Sequence, residues 1–117
     1  MDILVIEDDK LTLNTLQYSL SNMGHNAFVA ENGKEAIEHI SGRRFDLLLS
    51  DIMMPGISGL SLVRVIRSVH DCDTPIIMMS TLHNKPLLDA AFEEGANDFI
   101  AKPFTMEDLA DKLRKFD

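Results

Sequence analysis

Apolar residues recur along this chain in two alternating rhythms. Short, nearly continuous runs, Ile3-Leu-Val-Ile6, 27–30, Leu47-Leu-Leu49, Ile76-Ile-Met-Met79 and Phe99-Ile-Ala101, read as buried strands. Between them the spacing is helical. Leu11, Leu13, Leu16, Leu20 and Met23 form a stripe over 10–23 that Gly24 stops. Asn32 can cap a helix over about 33–42 with Ala36, Ile37 and Ile40 on one face. Pro55, Gly56 and Gly59 punctuate a loop before a third helix carrying Leu60, Leu62, Val63 and Ile66. Pro75 suits the start of the next strand, because its missing N–H is tolerated there. Asn84 and Pro86 open a fourth helix that Gly95 closes, and Thr105-Met-Glu-Asp108 resembles a capping box ahead of Leu109 and Leu113.

Five strands alternating with five helices predict an α/β fold, a parallel sheet covered on both faces, with right-handed crossovers. In the flavodoxin-like doubly wound order 2-1-3-4-5, strands one and three are neighbours at the switch point, where ligands bind beyond the carboxyl ends. Glu7 and Asp8 follow strand one and Asp51 follows strand three, Ser80 ends strand four, and Lys102 ends strand five. With strands ~4.8 Å apart, the three carboxylates can share one pocket while Ser80 approaches from next door and Lys102 reaches inward. Carboxylates so placed repel one another unless a cation sits between them, which asks for a divalent metal.

Composition narrows the setting. With 117 residues, 45% hydrophobic and 26% charged, the chain is expected to form one domain over 1–117 with an ordinary core. A net charge of -8 disfavours direct contact with nucleic acid, since phosphate binding needs clustered Lys and Arg. Cys72 is the only cysteine and cannot form an internal bridge. Apolar runs fall short of the ~20 residues of a membrane span, and the first strand starts too early for a signal peptide to precede it, so a cytoplasmic location is expected.

Taken together, Glu7-Asp8, Asp51-Ile-Met-Met-Pro55 with Gly59, the strand-ending Ser80 and Lys102-Pro103-Phe104 resemble the receiver domain of two-component response regulators, the CheY-like superfamily, over essentially the whole chain. The resemblance implies that Asp51 is the phosphoacceptor and that Glu7, Asp8, Asp51 and the backbone carbonyl of Met53 arrange Mg2+. Mg2+ prefers such hard oxygen ligands. It assigns Ser80, Lys102 and the neighbouring Thr81 to the phosphoryl group, Phe99 to a switch that follows the Ser80 hydroxyl, and Pro55, Gly59 and Pro103 to supporting turns. A cis Lys102–Pro103 bond is implied as well. The donor would be a phosphohistidine on a sensor histidine kinase or histidine phosphotransfer protein. The readout would be a remodelled face of helix four, strand five and helix five, recognised by an output domain or effector and able to dimerise on activation.

Departures from the commonest receiver pattern are mild. Glu7 stands where Asp is more usual, Ser80 where Thr is more usual, and Thr81 where a smaller residue is usual and access is wider. Met53 and Leu82, two residues after the acceptor and the hydroxyl, are apolar and cannot orient an attacking water, so slow self-dephosphorylation is expected.

Other readings compete. A haloacid-dehalogenase-like hydrolase would also form an aspartyl phosphate, but normally carries a second Asp where this chain has Met53, and needs a substrate cap. A flavodoxin-like cofactor binder would place a phosphate where Glu7-Asp8-Asp9 repels one. A receiver-shaped interaction module without turnover has the same sequence signature. Singly, each acid is an ordinary strand-end cap, Ser80 a turn residue, Lys102 a solvated charge and Phe99 a core aromatic. The four histidines lack metal-ligand spacing and are expected at the surface.

Overall fold

The computed structural model describes residues 1–54 and 56–117. Its elements alternate strictly: β1 (Asp2–Ile6), α1 (Lys10–Asn22), β2 (Asn26–Ala30), α2 (Gly33–Gly42), β3 (Leu47–Asp51), α3 (Gly59–Ser68), β4 (Ile76–Ser80), α4 (Lys85–Glu94), β5 (Asp98–Ala101) and α5 (Met106–Arg114). The strands form one sheet in the order β2-β1-β3-β4-β5, and every pairing is parallel. That is the doubly wound order the alternation predicts.

Successive strand residues point to opposite faces, so each apolar run feeds two cores. Leu4, Ile6, Leu48, Ile76, Met78 and Phe99 pack beneath α2, α3 and α4 against Ala36, Leu62, Val63, Ile66 and Ala91. Ile3, Val5, Leu47, Leu49, Ile77, Met79 and Ile100 meet Leu13, Leu16 and Leu20 of α1 and Leu109 and Leu113 of α5 on the other face. Each of these large side chains contributes roughly 2 kcal/mol by leaving water.

The helices begin where the sequence supplies an acceptor for the first free N–H groups. Asp9, Asn32, Ser58, Asn84 and Thr105 each take a backbone N–H three residues on, and Thr105 with Asp108 completes the capping box. Gly95 ends α4 at φ 119°, a left-handed value that glycine adopts without a Cβ penalty.

Four details differ from the sequence-based expectation. Leu11 lies off the buried Leu13–Leu16–Leu20 stripe and is 76% exposed, because two residues along a helix turn a side chain through more than half a circle. Pro75 stands one residue before β4, where its carbonyl accepts from Leu48 N–H at 2.9 Å. Gly59 opens α3 and does not precede it. His39 is half-buried, bonded to the Val29 carbonyl at 3.0 Å and edge-on to the Phe45 ring, and His25 is also half-buried; His70 and His83 lie at the surface as expected.

Candidate functional site

Register builds the site. Ile6 pairs with Ser50, Asp51 with Met79, and Ser80 with Ala101. Glu7 and Asp51 therefore stand in one row at the ends of β1 and β3, Ser80 is one step beyond that row on β4, and Lys102, just past the end of β5, is two steps beyond it. One carboxylate oxygen from each of Glu7, Asp8 and Asp51 lies within 4.8 Å of the other two. Glu7 and Asp51 are buried, whereas Asp8 is exposed at the rim.

Each carboxylate oxygen of Glu7 and Asp51 has a defined partner. Lys102 Nζ donates to Glu7 Oε2 at 2.7 Å and to Asp51 Oδ2 at 3.3 Å. The other Glu7 oxygen accepts from Asp9 N–H at 3.2 Å, and the other Asp51 oxygen from Met53 N–H at 3.1 Å. Ser80, also buried, accepts from Leu82 N–H at 3.0 Å through its hydroxyl oxygen, which leaves the hydroxyl proton available to donate. The loop after Asp51 is held by Gly59, whose N–H donates to the Ile52 carbonyl at 2.7 Å. A Cβ at Gly59 would come within 2.4 Å of the Asp51 carbonyl oxygen and 2.6 Å of Ile52 Cα, so only glycine fits there.

One cation serves two buried carboxylates, and the electrostatics register the imbalance. Burial pushes the Glu7 carboxyl above its ordinary value; the hydrogen bonds from Lys102 and Asp9 oppose that without cancelling it, and the Asp51 charge reinforces it. Burial works against the Lys102 ammonium too. The hydrogen bond to Glu7 and the charges of Asp51 and Glu7 outweigh it and hold the pKa above the usual lysine value. Both partners rise, Glu7 because burial outweighs its hydrogen bonds and Lys102 because its two carboxylate partners outweigh burial.

The remaining sequence candidates fall around this centre. Thr81 is exposed and lines a groove with Leu11, Thr12, Lys102 and Phe104. Met53 and Leu82 flank the pocket with 57% and 51% of their surface exposed. Phe99 is buried in the core beneath α4 and borders a cleft with Leu88, Phe104 and Lys112. The Lys102–Pro103 peptide is cis. Pro55 lies outside the described residues. Asp9 escaped the sequence reading, which counted it only as a repelling acid; it caps α1 through Thr12 and its own N–H orients Glu7. The Asp immediately before an amphipathic stripe was the available signal.

Comparison with known proteins agrees with this geometry. A family model described as the response regulator receiver domain matches residues 3–114. Transcriptional regulatory protein CrdR of Helicobacter pylori is 36% identical over 114 residues, covering 97% of this chain and 54% of its own. Response regulator MprA of Mycobacterium ulcerans is 38% identical over 112 residues, covering 96% of this chain and 48% of its own. The chain thus spans about half the length of the curated relatives it matches. Chemotaxis protein CheY4 of Vibrio cholerae superposes with a TM-score of 0.93 at 27% identity, over 98% of this chain and 97% of that one. With its five parallel strands in the order 2-1-3-4-5, the chain belongs to the response regulator receiver domains, a family of signalling switches whose general function is phosphorylation on an aspartate.

Proposed function

We propose that Asp51 is the phosphoacceptor of this receiver and that Glu7, Asp8, Asp51 and the backbone carbonyl of Met53 hold Mg2+ beside it. The observation that carries the reading is the convergence of three carboxylates within 4.8 Å at the ends of β1 and β3, with the Lys102 ammonium touching two of them. The donor set suits the ion: all oxygen, hard, and carrying more negative charge than one lysine offsets. Bound there, Mg2+ would supply positive charge to the oxygens of the transferred group.

The residues divide the work. An ionised Asp51 oxygen attacks the phosphorus of a phosphohistidine; the new O–P bond forms as the N–P bond breaks, and the imidazole leaves with that electron pair. Lys102 offsets charge spreading over the phosphoryl oxygens, and the Ser80 hydroxyl donates to one of them. Water later hydrolyses the acyl phosphate, restoring the carboxylate and releasing inorganic phosphate. Thr81 borders the entrance, and Phe99 responds when Ser80 turns toward the phosphoryl group. The face of α4, β5 and α5 is thereby biased between two arrangements.

The donor is a sensor histidine kinase or histidine phosphotransfer protein, and the receiver of the signal an output domain or effector, with dimerisation of the α4–β5–α5 face on activation as a further route. Residues 1–117 form a single receiver domain whose work is switching and not metabolism. Its negative charge argues against direct contact with nucleic acid. Among the described residues no helix is long and apolar enough to cross a membrane; the cytoplasmic setting is proposed from the family.

Incubating the chain with Mg2+ and acetyl phosphate, then measuring intact mass, tests the assignment. Wild type should gain one base-labile phosphate, Asp51→Asn none, and chelation of Mg2+ should suppress the gain. Equal labelling of both proteins would move the acceptor elsewhere.

A further inference from the structure

The firmest bond that Lys102 makes is not to the acceptor. Its ammonium lies 2.7 Å from Glu7 Oε2 and 3.3 Å from Asp51 Oδ2. Glu7 is buried, and its second oxygen is already engaged by Asp9 N–H. A cation bound through Glu7 therefore shares that carboxylate with the Lys102 ammonium, whichever oxygen it takes. Two cations on one buried carboxylate repel strongly in a site screened from water.

Resting on the function proposed above, we infer that Glu7 is a positioning residue for Lys102 as well as a metal ligand: Mg2+ and the Lys102 ammonium compete for it, and metal uptake frees Lys102 for the phosphoryl group. The length of Glu7 makes this a property of this chain. One methylene less would draw the carboxylate back toward β1 and away from an ammonium that arrives from β5, two strands beyond β3. The exchange orders the reaction. Lys102 is engaged by Glu7 until the ion arrives, and it then has Asp51, and whatever Asp51 carries, as its remaining partner. Phosphoryl transfer without Mg2+ thus lacks two positive charges, the ion and a released lysine.

Calorimetric titration of the full chain with Mg2+ alone, for wild type, Lys102→Met, Glu7→Asp and the double variant, separates this exchange from plain charge repulsion. Removing the competing ammonium should tighten Mg2+ about tenfold when Glu7 is present, a coupling of ordinary size. In the Glu7→Asp background the same substitution should change affinity by less than about threefold, since the shorter side chain is no longer shared. Equal tightening in both backgrounds would mean that Lys102 acts only through its charge, and would overturn the inference.

A second measurement needs no substitution. In wild type, the Lys102 side-chain resonances should move in step with Mg2+ occupancy while those of Lys112, paired with Asp98 far from the pocket, stay fixed. Lys102 signals that are unmoved at saturation would overturn the exchange while leaving the metal site standing. If wild type takes up no Mg2+ at all, the exchange and the functional reading fall together.

Discussion

The two ends of the sheet put their charged side chains to opposite uses. At the amino end Arg67 and Arg43 are both fully engaged. Arg67 of α3 directs its guanidinium N–H groups to the carbonyls of Cys72, Thr74 and Gly95 and to the Asn97 side chain, at 2.7–3.1 Å. Arg43 pairs with Asp2 at 2.6 Å and lies over the Phe28 and Phe45 rings. At the carboxyl end Glu7, Asp8 and Asp51 gather around the single ammonium of Lys102. Buried charge without an equal partner costs stability, and a fold keeps it only where the chemistry requires it. Function in this molecule is legible as electrostatic incompleteness at one end of an otherwise balanced sheet.

That contrast breaks most visibly at Arg67. Arg67→Met keeps the aliphatic stem but strands the carbonyls of Cys72, Thr74 and Gly95, so we expect a loss of about 3 kcal/mol, near one for each abandoned acceptor. Urea denaturation should show the midpoint falling with an unchanged slope. Phosphorylation by acetyl phosphate, measured well below the melting temperature, should keep its wild-type rate. A strongly slowed rate in a folded protein would show that the amino end takes part in the chemistry, contrary to the division drawn here.

The converse case lies at Met53 and Leu82, exposed apolar residues that pack into neither core. Neither side chain can orient an attacking water, and on the assignment proposed for Asp51 both would screen the acceptor. Replacing them together, Met53→Asn with Leu82→Arg, should leave stability within about 0.5 kcal/mol, as exposed sites usually do. Decay of the acyl phosphate should speed up about tenfold, which lowers the barrier by about 1.4 kcal/mol. Following the mass of the phosphorylated chain over time checks this. Unchanged decay would remove the apolar screen as the reason for a long-lived signal.

The carboxyl end was the more readable of the two from sequence, for a physical reason. Acids and a lysine placed directly after apolar runs are anchored by strand register, so Glu7, Asp8, Asp51, Ser80 and Lys102 could be placed from the alternation once the strand order was assumed. The same regularity fixed both cores, because buried parallel strands leave few options. Arg67 gave no comparable signal: on a helix face it reads as a solvated charge, and its partners are carbonyls of loops whose paths no pattern specifies. Leu11 misled because apolar type alone cannot separate a stripe position from its exposed neighbour. The shorter Lys102 contact, with Glu7, joins residues 95 positions apart through two long side chains, and only their rotamers decide which acid the lysine prefers.

The smallest expected effect concerns pH at the amino end. Burial would raise the Asp98 carboxyl, but Phe99 N–H at 2.8 Å, Lys112 at 3.0 Å and the charge of Lys115 together hold it below the usual aspartate value. A carboxyl whose pKa is lower folded than unfolded binds its proton more weakly in the native state. Its contribution is therefore complete above the unfolded-state pKa and is lost as pH falls through the folded one. Asp98→Asn should remove that part of the acid destabilisation, so the gap in stability between the two proteins, under about 1 kcal/mol for so partly exposed a pair of lysine contacts, closes as pH drops below the aspartate range. Thermal melts across that range with Mg2+ chelated keep the carboxyl end from contributing a metal-linked slope. A gap that widens on acidification would reverse the sign, and would mean that Asp98 is a strained acid like Glu7 and not a balanced one.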